Sequence, residues 1–556
     1  MKQKLPLTPI HDVQGDGLMS PLANRPVRIR GVVTGRTRRG YFVQDPKRSP
    51  DDRCSDGIFV YSPRRKARTG TLVELLGKVV DYRRGETERP TTQIKPFEVR
   101  RISKRGPQIE PVWLTAELLH VSGSELAQRL NGLEGMLVGI PEGSTFAAAS
   151  NSFGDYVCIP PGLEGLRADN GGMVIDPEQP ERWLPGFRIT RYDEAPCLNV
   201  GAKLLTPAVG PLNFRADAFQ IALQGDIDVK HRKVVPHTFA EPNEDRLTIM
   251  TLNGFNLDVH VEDPQKVSNP DRDVDDDKLY GRFELLAEAI VKQACAPDIV
   301  ALQEIQDNDG AEITDVVDAS ETYEQLIEDV RWQGGPTYRW ADIPPAPEAD
   351  GGQPGGNIRN AFLYNPDRVE LVEESLRRIG EDDTAFEASR KPLFARFRFR
   401  GAEIDIVNVH LASKRHQAGL FAPDNPGHDP REPVRVAQAR LVREALADAR
   451  DRAIDYYITG DFNDFEFSAT LRELCGDDGT NMVESLPPNA RFDYNHRGQL
   501  QVLMHGIVPT RAFEAGAVDY QILHGNELIG VKPGSPSGKA SDHAYVMASI
   551  RLGASG

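Results

Sequence analysis

The chain reads Ile454-Asp455-Tyr456-Tyr457-Ile458-Thr459 and continues directly with Gly460-Asp461-Phe462-Asn463-Asp464. The first six residues have the length and composition of a buried strand, which ends at Gly460. The oxygens of Asp461 and Asn463 follow at once, and they suit ligation of a hard cation and of a water molecule. An ordinary turn stabilised by an Asp side chain would have the same sequence. The segment therefore predicts either a site at a strand end or a simple turn.

Other polar residues also follow strand-like segments in the C-terminal part of the chain. Strands alternate with helical segments from Arg246 onward, and α/β sheets place their sites just past strand ends. Each such residue alone could be a cap or a solvated strand end, but the whole set is more than a structural surface needs. Carboxylate and amide oxygens suit Mg²⁺, and nothing in the set indicates zinc or a covalent nucleophile. The set comprises Asn253, Glu304, Arg359, His410, Asp461, Asn463 and Ser541-Asp542-His543.

The first 105 residues have a different pattern. Short strand-like runs separated by Gly, Pro, Arg and Asp predict an OB-like barrel of five strands. The runs are Val27–Val33, Tyr41–Gln44, Gly57–Tyr61, Thr71–Val80 and Gln93–Val99.

The same segment is strongly basic. It holds 24 Lys and Arg against 11 Asp and Glu, whereas residues 106–556 hold 42 against 72. This split favours binding of a polyanion by the barrel, although a solvated basic face would have the same composition. Arginines could follow a nucleic-acid backbone while aromatic faces stack on bases, with Phe42 and Phe59 equally well placed in the barrel core. The candidates for nucleic-acid binding are Arg36, Arg38, Arg39, Tyr41, Arg64 and Arg65.

The length of 556 residues predicts about three domains. We expect an OB-like domain over 1–105, a second β-rich OB-like domain over 106–205, a linker over 206–244 and an α/β domain over 245–553. Five scattered cysteines argue against a disulfide framework. The chain has no apolar run long enough to span a membrane and no signal-peptide core, so we expect a cytoplasmic protein, or a secreted one if a native leader is missing.

The polar segments of the C-terminal part resemble a known family. Over residues 246–551 they resemble the endonuclease/exonuclease/phosphatase superfamily, whose members share the DNase I-like fold. The segments that carry this resemblance are Thr251-Leu252-Asn253, Ala301-Leu302-Gln303-Glu304-Ile305-Gln306-Asp307-Asn308-Asp309-Gly310, Asn357-Ile358-Arg359-Asn360-Ala361-Phe362-Leu363-Tyr364, Val407-Asn408-Val409-His410-Leu411, Gly460-Asp461-Phe462-Asn463-Asp464 and Ser541-Asp542-His543.

Three segments near the N-terminus, Ile10–Gly15, Gly31–Gly35 and Ser55–Tyr61, extend the resemblance to large bacterial nucleases of the ExeM type. In those nucleases OB-like domains precede the catalytic domain. The fold class implied is one or more all-β OB-like domains followed by an α/β four-layer sandwich of DNase I-like fold.

The resemblance also implies a metal site and a phosphate contact. Glu304 would ligate Mg²⁺, helped by Asn253 and, through water, by Asp542; Mn²⁺ or Ca²⁺ could serve instead. Arg359 would clamp a phosphate beside the scissile one.

Four further residues would carry the chemistry according to the resemblance. Asp461 and Asn463 would orient the attacking water and the scissile phosphate, while His410 and His543 would hydrogen-bond the phosphate and share the proton transfers. Phosphodiester cleavage needs an in-line water, a cation against the growing charge and help for the leaving oxygen, and these residue types suit each need.

One position departs from the family pattern. Members usually carry Leu-Asp-His near the penultimate core strand, where the Asp holds the final catalytic histidine, but here Leu503-Met504-His505 puts a methionine at that place. Without a carboxylate the ring of His543 would be less fixed and acid/base help weaker. Either another group replaces it, for which Asp519 is a weak candidate, or activity is reduced.

The sequence therefore predicts a metal-dependent nuclease, with DNA rather than RNA as the expected substrate and the basic barrel binding the strand. Two alternatives remain open. One is a phosphatase or phospholipase-type phosphodiesterase acting on a small or lipid substrate. The other is a nucleic-acid-binding protein weakened in catalysis by Met504.

Overall fold

The computed structural model describes residues 5–64, 67–84, 88–121, 123–151, 155–177, 187–190, 196–215, 218–240, 243–418, 421–422, 427–532 and 539–553. The chain divides into two compact units. The first unit comprises residues 1–233, 417–428 and 532–534, and the second comprises 234–416, 429–531 and 535–556. Over the described ranges, no helix combines the length and apolar character required to cross a bilayer.

The first unit begins with the five strands that the sequence predicts. They close into a barrel in the order β1-β2-β3-β5-β4, with β3 and β5 parallel and a short helix α1 (Ile10–Gln14) packed nearby. Alternate side chains such as Val27, Ile29 and Val43 fill the interior, as the period of two requires. The strands are β1 (Pro26–Arg36), β2 (Gly40–Gln44), β3 (Gly57–Tyr61), β4 (Leu72–Tyr82) and β5 (Thr91–Ser103).

A nine-stranded sheet forms the rest of the first unit. Its strand order is β15-β12-β8-β9-β11-β14-β13-β7-β6, and α2 (Ala116–Leu119) and α3 (Gly123–Asn131) accompany it. The strands of this region, with the separate β10, are β6 (Val112–Trp113), β7 (Leu137–Ile140), β8 (Thr145–Ala148), β9 (Asp155–Ile159), β10 (Met173–Val174), β11 (Phe187–Thr190), β12 (Lys203–Leu204), β13 (Ala208–Arg215), β14 (Ala218–Ala222) and β15 (Val229–Lys230).

Two sequence expectations meet a different structure in this unit. Residues 208–215 and 218–222, expected to belong to a linker, form the antiparallel strands β13 and β14, because Leu212, Phe214 and Phe219 bury their side chains in the core of the sheet. The Pro- and Gly-rich sequence of residues 416–433 predicts a long loop, but Phe421 within it packs in the same core, where its ring lies 5.0 Å from that of Phe219. Apolar residues among Pro and charged residues therefore decide the structure of both segments.

The second unit is built on two six-stranded sheets. The first has the order β18-β19-β17-β16-β29-β28 and the second β20-β21-β22-β23-β27-β24. The strands, with the separate hairpin of β25 and β26, are β16 (Leu247–Leu257), β17 (Ile299–Ile305), β18 (Arg339–Asp342), β19 (Arg359–Tyr364), β20 (Glu370–Arg378), β21 (Leu393–Phe399), β22 (Ala402–His410), β23 (Asp455–Asp461), β24 (Gly479–Asn481), β25 (Tyr494–His496), β26 (Gln499–Gln501), β27 (Met504–Pro509), β28 (Val518–Leu523) and β29 (Tyr545–Ile550).

Helices cover the outer faces of these two sheets. One core fills the space between the sheets, a second lies under α5 and α6, and a third lies under α7 and α9. The layers are thus helix, sheet, sheet and helix, as the resemblance implied. The helices are α4 (Pro270–Asp273), α5 (Arg282–Glu288) with the π-helical turn Ala289–Gln293, α6 (Ser320–Trp332), α7 (Glu432–Ala445), α8 (Ala447–Asp451), α9 (Ala469–Cys475) and α10 (Thr510–Glu514).

Candidate active site

The candidate site lies where two pairs of parallel strands end. β16 runs parallel to β17 in the first sheet, and β22 runs parallel to β23 in the second. Parallel neighbours end at one edge, so Asn253 and Glu304 come from the first pair and His410 and Asp461 from the second. His410 and Asp461 are direct partners in the register. The structure therefore gathers the predicted strand-end residues at one place.

Asp461 lies between the two predicted histidines. Its Oδ2 atom is 3.7 Å from Nε2 of His410 and 3.8 Å from Nε2 of His543. Nε2 of His410 is also 3.6 Å from Oε1 of Glu304. Asn463 donates its backbone N–H to Oδ1 of Asp461 at 2.9 Å and its side-chain amide to the carbonyl of Leu411 at 3.1 Å.

Backbone conformation aims these side chains. Glu304 and Asn463 adopt φ values of 53° and 52°, in the left-handed region that residues other than glycine rarely occupy. Gly460 has φ 134°, and a Cβ there would lie 1.9 Å from the carbonyl oxygen of Val409. Only glycine allows β23 to approach β22 so closely just before Asp461.

Buried amides join the two sheets beneath the site. Gln303 donates to Oδ1 of Asn408 at 2.7 Å, and Asn408 donates to the carbonyls of Leu302 and Ala361 at 2.8 and 2.9 Å. Both side chains are fully buried. Buried hydrogen bonds of this kind fix the relative positions of the neighbouring strand ends, which lie next to Glu304 and His410.

The carboxylate expected at position 504 comes from Asp493. Its Oδ1 atom lies 2.7 Å from Nδ1 of His543, and its Oδ2 accepts the backbone N–H groups of Leu503 and Met504 at 2.7 and 3.0 Å. Asp493 is fully buried. Of the two alternatives left open by Met504, the structure supports the first, in which another group replaces the missing carboxylate. Asp519, the weak candidate for this place, is exposed and pairs with Arg246 at 2.9 Å.

Sequence reasoning missed Asp493 because it compared residues at one place in the chain rather than in space. The signal was Arg491-Phe492-Asp493-Tyr494, a single acid flanked by aromatic residues before a short hairpin. Tyr494 stacks on the ring of His543, with centroids 4.8 Å apart and planes inclined by 29°. His543 is thus held on an edge by Asp493 and on a face by Tyr494.

The pKa values of the two histidines are shifted in opposite directions. Burial, Arg390 and His543 hold the pKa of His410 well below its usual range. Burial also acts to lower the pKa of His543, but Asp542, then the hydrogen bond from Asp493 and the charge of Asp461, outweigh it and raise this pKa to about 10. A neutral imidazole at His410 suits hydrogen bonding without proton transfer, whereas a protonated one at His543 suits the donation of a proton.

The acids at the site suit a divalent cation. Burial, then the charges of Asp542 and Asp461, raises the pKa of Glu304 to about 7. Oδ1 of Asp542 is buried and has no hydrogen-bond partner in the described part of the chain. Ligand atoms of Glu304, His410 and Asp461 lie within 4.8 Å of one another. Crowded carboxylates with an unused oxygen are the donor set that a hard cation stabilises, so the residues fit such an ion.

The amide of Asn253 is less clearly a ligand. Its Oδ1 atom accepts the backbone N–H of Phe255 at 2.8 Å, and its buried Nδ2 has no partner among the described residues. The oxygen keeps a second lone pair for a cation, while the free N–H₂ can donate to a phosphate oxygen.

Arg359 does not lie ready for a phosphate, contrary to the prediction. Its guanidinium donates to the carbonyls of Asn357 and Val317 and pairs with Asp342 at 3.5 Å. The side chain is buried in these contacts, so its donors are used within the fold. The prediction failed because β19 turns the arginine inward, toward the loops that precede it.

Arg390 is the arginine that sequence reasoning overlooked. It lies in the turn before β21, donates to the carbonyl of Leu411 at 3.0 Å and keeps a buried Nε without a partner in the described ranges. Burial lowers its pKa, and the charges of Glu304 and Asp461 oppose that effect. A guanidinium this close to two site acids is placed to meet a phosphate.

The barrel residues predicted to bind nucleic acid fall into three groups. Arg36, Arg38, Arg39 and Arg64 are exposed, while Arg65 lies outside the described residues. Tyr41 is 1% exposed and packs in the barrel core, so it cannot stack on a base. The strand alternation that puts Val43 inside puts Tyr41 inside as well.

A second cluster of acids lies elsewhere in the second unit. Ligand atoms of Asp258, Asp275 and Asp277 are within 4.8 Å of one another, and Arg282 pairs with Asp277. Burial raises the pKa of Asp277, and the charge of Arg282 lowers it. Burial has the larger effect, so the pKa is raised to about 6.

Comparison with known proteins finds one matching family model, which covers slightly less than half of the chain. Residues 275–543 match the model of the Endonuclease/Exonuclease/phosphatase family. No curated protein matches the chain.

Several solved structures align with about half of the chain. The endonuclease/exonuclease/phosphatase from Bacteroides vulgatus is 16% identical, covers 55% of this chain and 99% of its own, and has a TM-score of 0.35. Humanized D. rerio TDP2 gives 16% identity, 55% and 99% coverage and a TM-score of 0.36. The human Nocturnin catalytic domain gives 14% identity, 56% and 96% coverage and a TM-score of 0.36.

Proposed function

We propose that this chain hydrolyses phosphodiester bonds of nucleic acid, with water as the nucleophile, and the match of residues 275–543 to the model of the Endonuclease/Exonuclease/phosphatase family supports this proposal. The observation that carries the proposal is the position of Asp461 between His410 and His543, beside Glu304. This arrangement offers a water-orienting carboxylate and two imidazoles within reach of one phosphate, and it needs no protein nucleophile.

A divalent cation is part of the proposal. Glu304 and Asp542 would hold it, with Asn253 contributing its carbonyl oxygen; Mg²⁺ is the first ion to test. Bound there, it would neutralise negative charge that builds on the phosphate oxygens.

The residues of the chain divide the remaining work. Asp461 and Asn463 orient the attacking water against the phosphorus, and Asp461 is placed to receive its proton. His543, held by Asp493, donates a hydrogen bond and then a proton toward the leaving oxygen. His410 donates a hydrogen bond from Nε2 to a phosphate oxygen, and Arg390 stabilises the charge of the same group.

One observation supports a nucleic acid over a small substrate, and a second removes the reason to expect weakened catalysis. The barrel carries a surplus of positive charge, which attracts a polyanion and adds nothing to a small phosphate ester's binding. Asp493 supplies the carboxylate that Met504 lacks, so the reason for expecting a catalytically weakened protein no longer applies.

The test is cleavage of supercoiled plasmid, a labelled single strand and the matching RNA by the full chain with Mg²⁺ or with EDTA. A small diester, bis(4-nitrophenyl) phosphate, is assayed in parallel. We expect metal-dependent cleavage that His543→Ala and Asp461→Asn abolish. Purified protein that binds Mg²⁺ yet leaves every diester intact would refute the proposal.

A further inference from the structure

The outward aromatic face of the barrel is not free to bind a ligand. Phe42 points away from the core, opposite to Tyr41 and Val43, yet it is only 1% exposed. Nearby, the side chain of Gln44 accepts the backbone N–H of Leu137 at 2.8 Å.

The first residues of β3 are covered in the same way. Ser55 donates to the carbonyl of Glu134 at 2.6 Å, and a Cβ on Gly57 would lie 2.2 Å from the backbone of Gly135. This side of β2 and β3 is therefore occupied by residues 134–137 of the same unit.

The outer face of β1, β4 and β5 is open instead, and it is basic. Arg30 on β1, Glu74 on β4 and Arg100 on β5 are register partners across the three strands. The side chains of Arg30 and Arg100 are 44% and 56% exposed. We call the outward side chains of these three strands the β1–β4–β5 face.

Three arginines converge on one carboxylate at the centre of this face. Arg28, Arg30 and Arg100 reach the oxygens of Glu74 at 2.7, 2.8 and 3.0 Å. The hydrogen bonds from Arg30 and Arg28 lower the pKa of Glu74 to about 2. One carboxylate offsets one guanidinium, so the cluster keeps a surplus of two positive charges. Glu74 orders the guanidinium groups, while the side chains of Arg28, Arg30 and Arg100 stay 21%, 44% and 56% exposed.

Two lysines extend the positive charge along β4. Lys78 and Lys95 lie directly opposite each other on β4 and β5. Like charges in that position destabilise a sheet, and no described residue offers a hydrogen bond or ion pair to either ammonium group. Positions 74 and 78 are four residues apart, about 13 Å along a strand. The charge therefore forms a stripe rather than a point.

The β1–β4–β5 face has too few acidic side chains to neutralise its own cations. The outward acids of these strands in the described ranges are Glu74 and Glu98, against three arginines and two lysines. A fold that needed only stability would pair these cations or place them apart. A line of ordered, unneutralised cations fits a line of anions.

We propose that the β1–β4–β5 face binds the phosphate backbone of a nucleic-acid strand. The choice of nucleic acid among polyanions rests on the proposed function. Arginines and lysines make this contact, in place of the predicted contact through Tyr41 and the aromatic side of the barrel. Phe97 on β5 is 66% exposed, but the converging groups of the face are guanidinium and ammonium groups, which contact phosphates. Binding therefore depends mainly on charge and not on base sequence.

The experiment uses the full chain in EDTA and the fluorescence anisotropy of a labelled 20-nucleotide single strand over a range of salt concentrations. The test variant is Arg30→Gln/Arg100→Gln. The matched control is Arg38→Gln/Arg39→Gln, which removes the same charge from the exposed β1–β2 loop. A second test variant, Lys78→Gln/Lys95→Gln, removes ammonium groups that bond to no described residue, so it does not endanger folding.

We expect both test variants to bind about tenfold or more weakly. Each test variant loses two phosphate contacts, so the slope of log K against log salt should fall by about 1.4 in magnitude. The control variant, Arg38→Gln/Arg39→Gln, should change the affinity and the slope only slightly. Loss of binding in the control alone, or equal loss in all three variants, would overturn the inference. Tight binding of heparin with none of the oligonucleotide would overturn it as well.

Hydrolysis of bis(4-nitrophenyl) phosphate separates this inference from the proposed function. The small diester does not need the barrel, so the test variants should hydrolyse it at the wild-type rate. If the wild type leaves this diester and nucleic acid uncut but binds the strand through the face, the proposed function fails and the face stands. If cleavage proceeds and the face variants bind normally, the inference fails alone.

Discussion

His543 is restrained by two neighbours of different chemistry. Asp493 accepts from one ring nitrogen at 2.7 Å, and Tyr494 covers one face of the ring. The other nitrogen remains directed toward Asp461. A buried carboxylate in this position selects the tautomer and stabilises the imidazolium, as in hydrolases that pair His with Asp. Asp493 therefore acts on the reaction through His543, as a positioning residue.

Replacing Asp493 should be costly to catalysis. Asp493→Asn leaves a side chain of the same shape, but its amide cannot accept both backbone N–H groups and stabilise a charged ring. We expect kcat on the small diester to fall by about 10³- to 10⁴-fold. The pH profile of kcat should also lose its dependence on a protonated imidazole, which a merely structural change would not cause. A variant with wild-type kcat would contradict the assignment.

Met504→Asp is the complementary change. Met504 is fully buried in the core between the two sheets, so an Asp there would place a charge among apolar side chains. We expect a lower Tm and no gain in kcat, because Asp493 already fills the carboxylate's place. A large gain in kcat would mean that Asp493 does not serve His543.

The two arginines of the site should separate stability from catalysis. Arg359→Lys loses the fork that holds Val317, Asn357 and Asp342, and it should lower the free energy of unfolding by about 3 kcal/mol. Its kcat/KM, corrected for the folded fraction, should stay within about twofold of wild type. Arg390→Ala should lower kcat/KM by about 10²-fold or more, since we propose that its buried guanidinium, beside the charges of Glu304 and Asp461, stabilises the phosphate. Equal losses of kcat/KM in both variants would count against this division.

At the scale of elements, strand ends were predictable and strand faces were not. The run before Gly460 predicts β23 and the site beyond it, because a buried strand that ends in Gly and Asp brings polar oxygens to the edge of a sheet. Tyr41 shows the opposite case. Alternation fixes that Tyr41 and Val43 share a face, but only the closed barrel decides that this face is the inside. The predicted phosphate contact of Arg359 failed for the same reason, because only the folded structure shows that this side chain faces inward.

The contact between the barrel and the segment before β7 should depend on pH. Glu134 is buried there and accepts the backbone N–H of Thr92 at 3.2 Å. Burial, opposed by Arg89, raises its pKa to about 7 from the ordinary value of 4.5. The folded state therefore holds the proton more tightly than the unfolded state, so stability is greatest below pH 4.5 as far as this group is concerned. It falls between pH 4.5 and 7, by about 3 kcal/mol in total.

Glu134→Gln should abolish that decline. Calorimetry of the full chain between pH 5 and 8 should show the transition that includes the first unit falling in wild type and nearly level in the variant. Glu110→Gln, an exposed change in the same unit, should follow the wild type. If Glu134→Gln is the less stable protein at pH 8, Glu134 is ionised and paired in the folded state.

At the scale of the whole molecule, long-range pairing is what the sequence conceals. Asp493 and His543 are in contact although 50 positions separate them in the sequence. Phe421, in the segment between His410 and α7, packs in the core of the first unit. A local pattern marks Asp493 as unusual, but no local pattern identifies the partner in either contact. Composition, in contrast, can be counted from the sequence alone, and it shows that positive charge is concentrated in residues 1–105. Where on the barrel that charge collects depends on which face residues 134–137 cover.

Cation binding should be visible as stability of the second unit, independent of activity. Without a cation, the carboxylates of Glu304, Asp461 and Asp542 lie close together and no bound ion neutralises them. The raised pKa values of Glu304 and Asp461 reflect this, together with burial. An ion bound only by the folded state at about 100 times its Kd adds about 2.7 kcal/mol, which corresponds to a rise in Tm of several degrees. Mg²⁺ should therefore raise the Tm of the transition that includes this unit above its value in EDTA.

Two variants locate the ion that causes this rise in Tm. Glu304→Gln removes one charge from the crowded site, so it should raise the Tm in EDTA and abolish most of the rise with Mg²⁺. Asp275→Asn alters the separate acidic cluster at Asp258 and Asp277 and should leave the Mg²⁺ effect intact. The reverse result, with the effect lost only in Asp275→Asn, would move the stabilising ion away from the catalytic residues. Glu304 would then keep its carboxylate near Nε2 of His410 for a role other than metal binding.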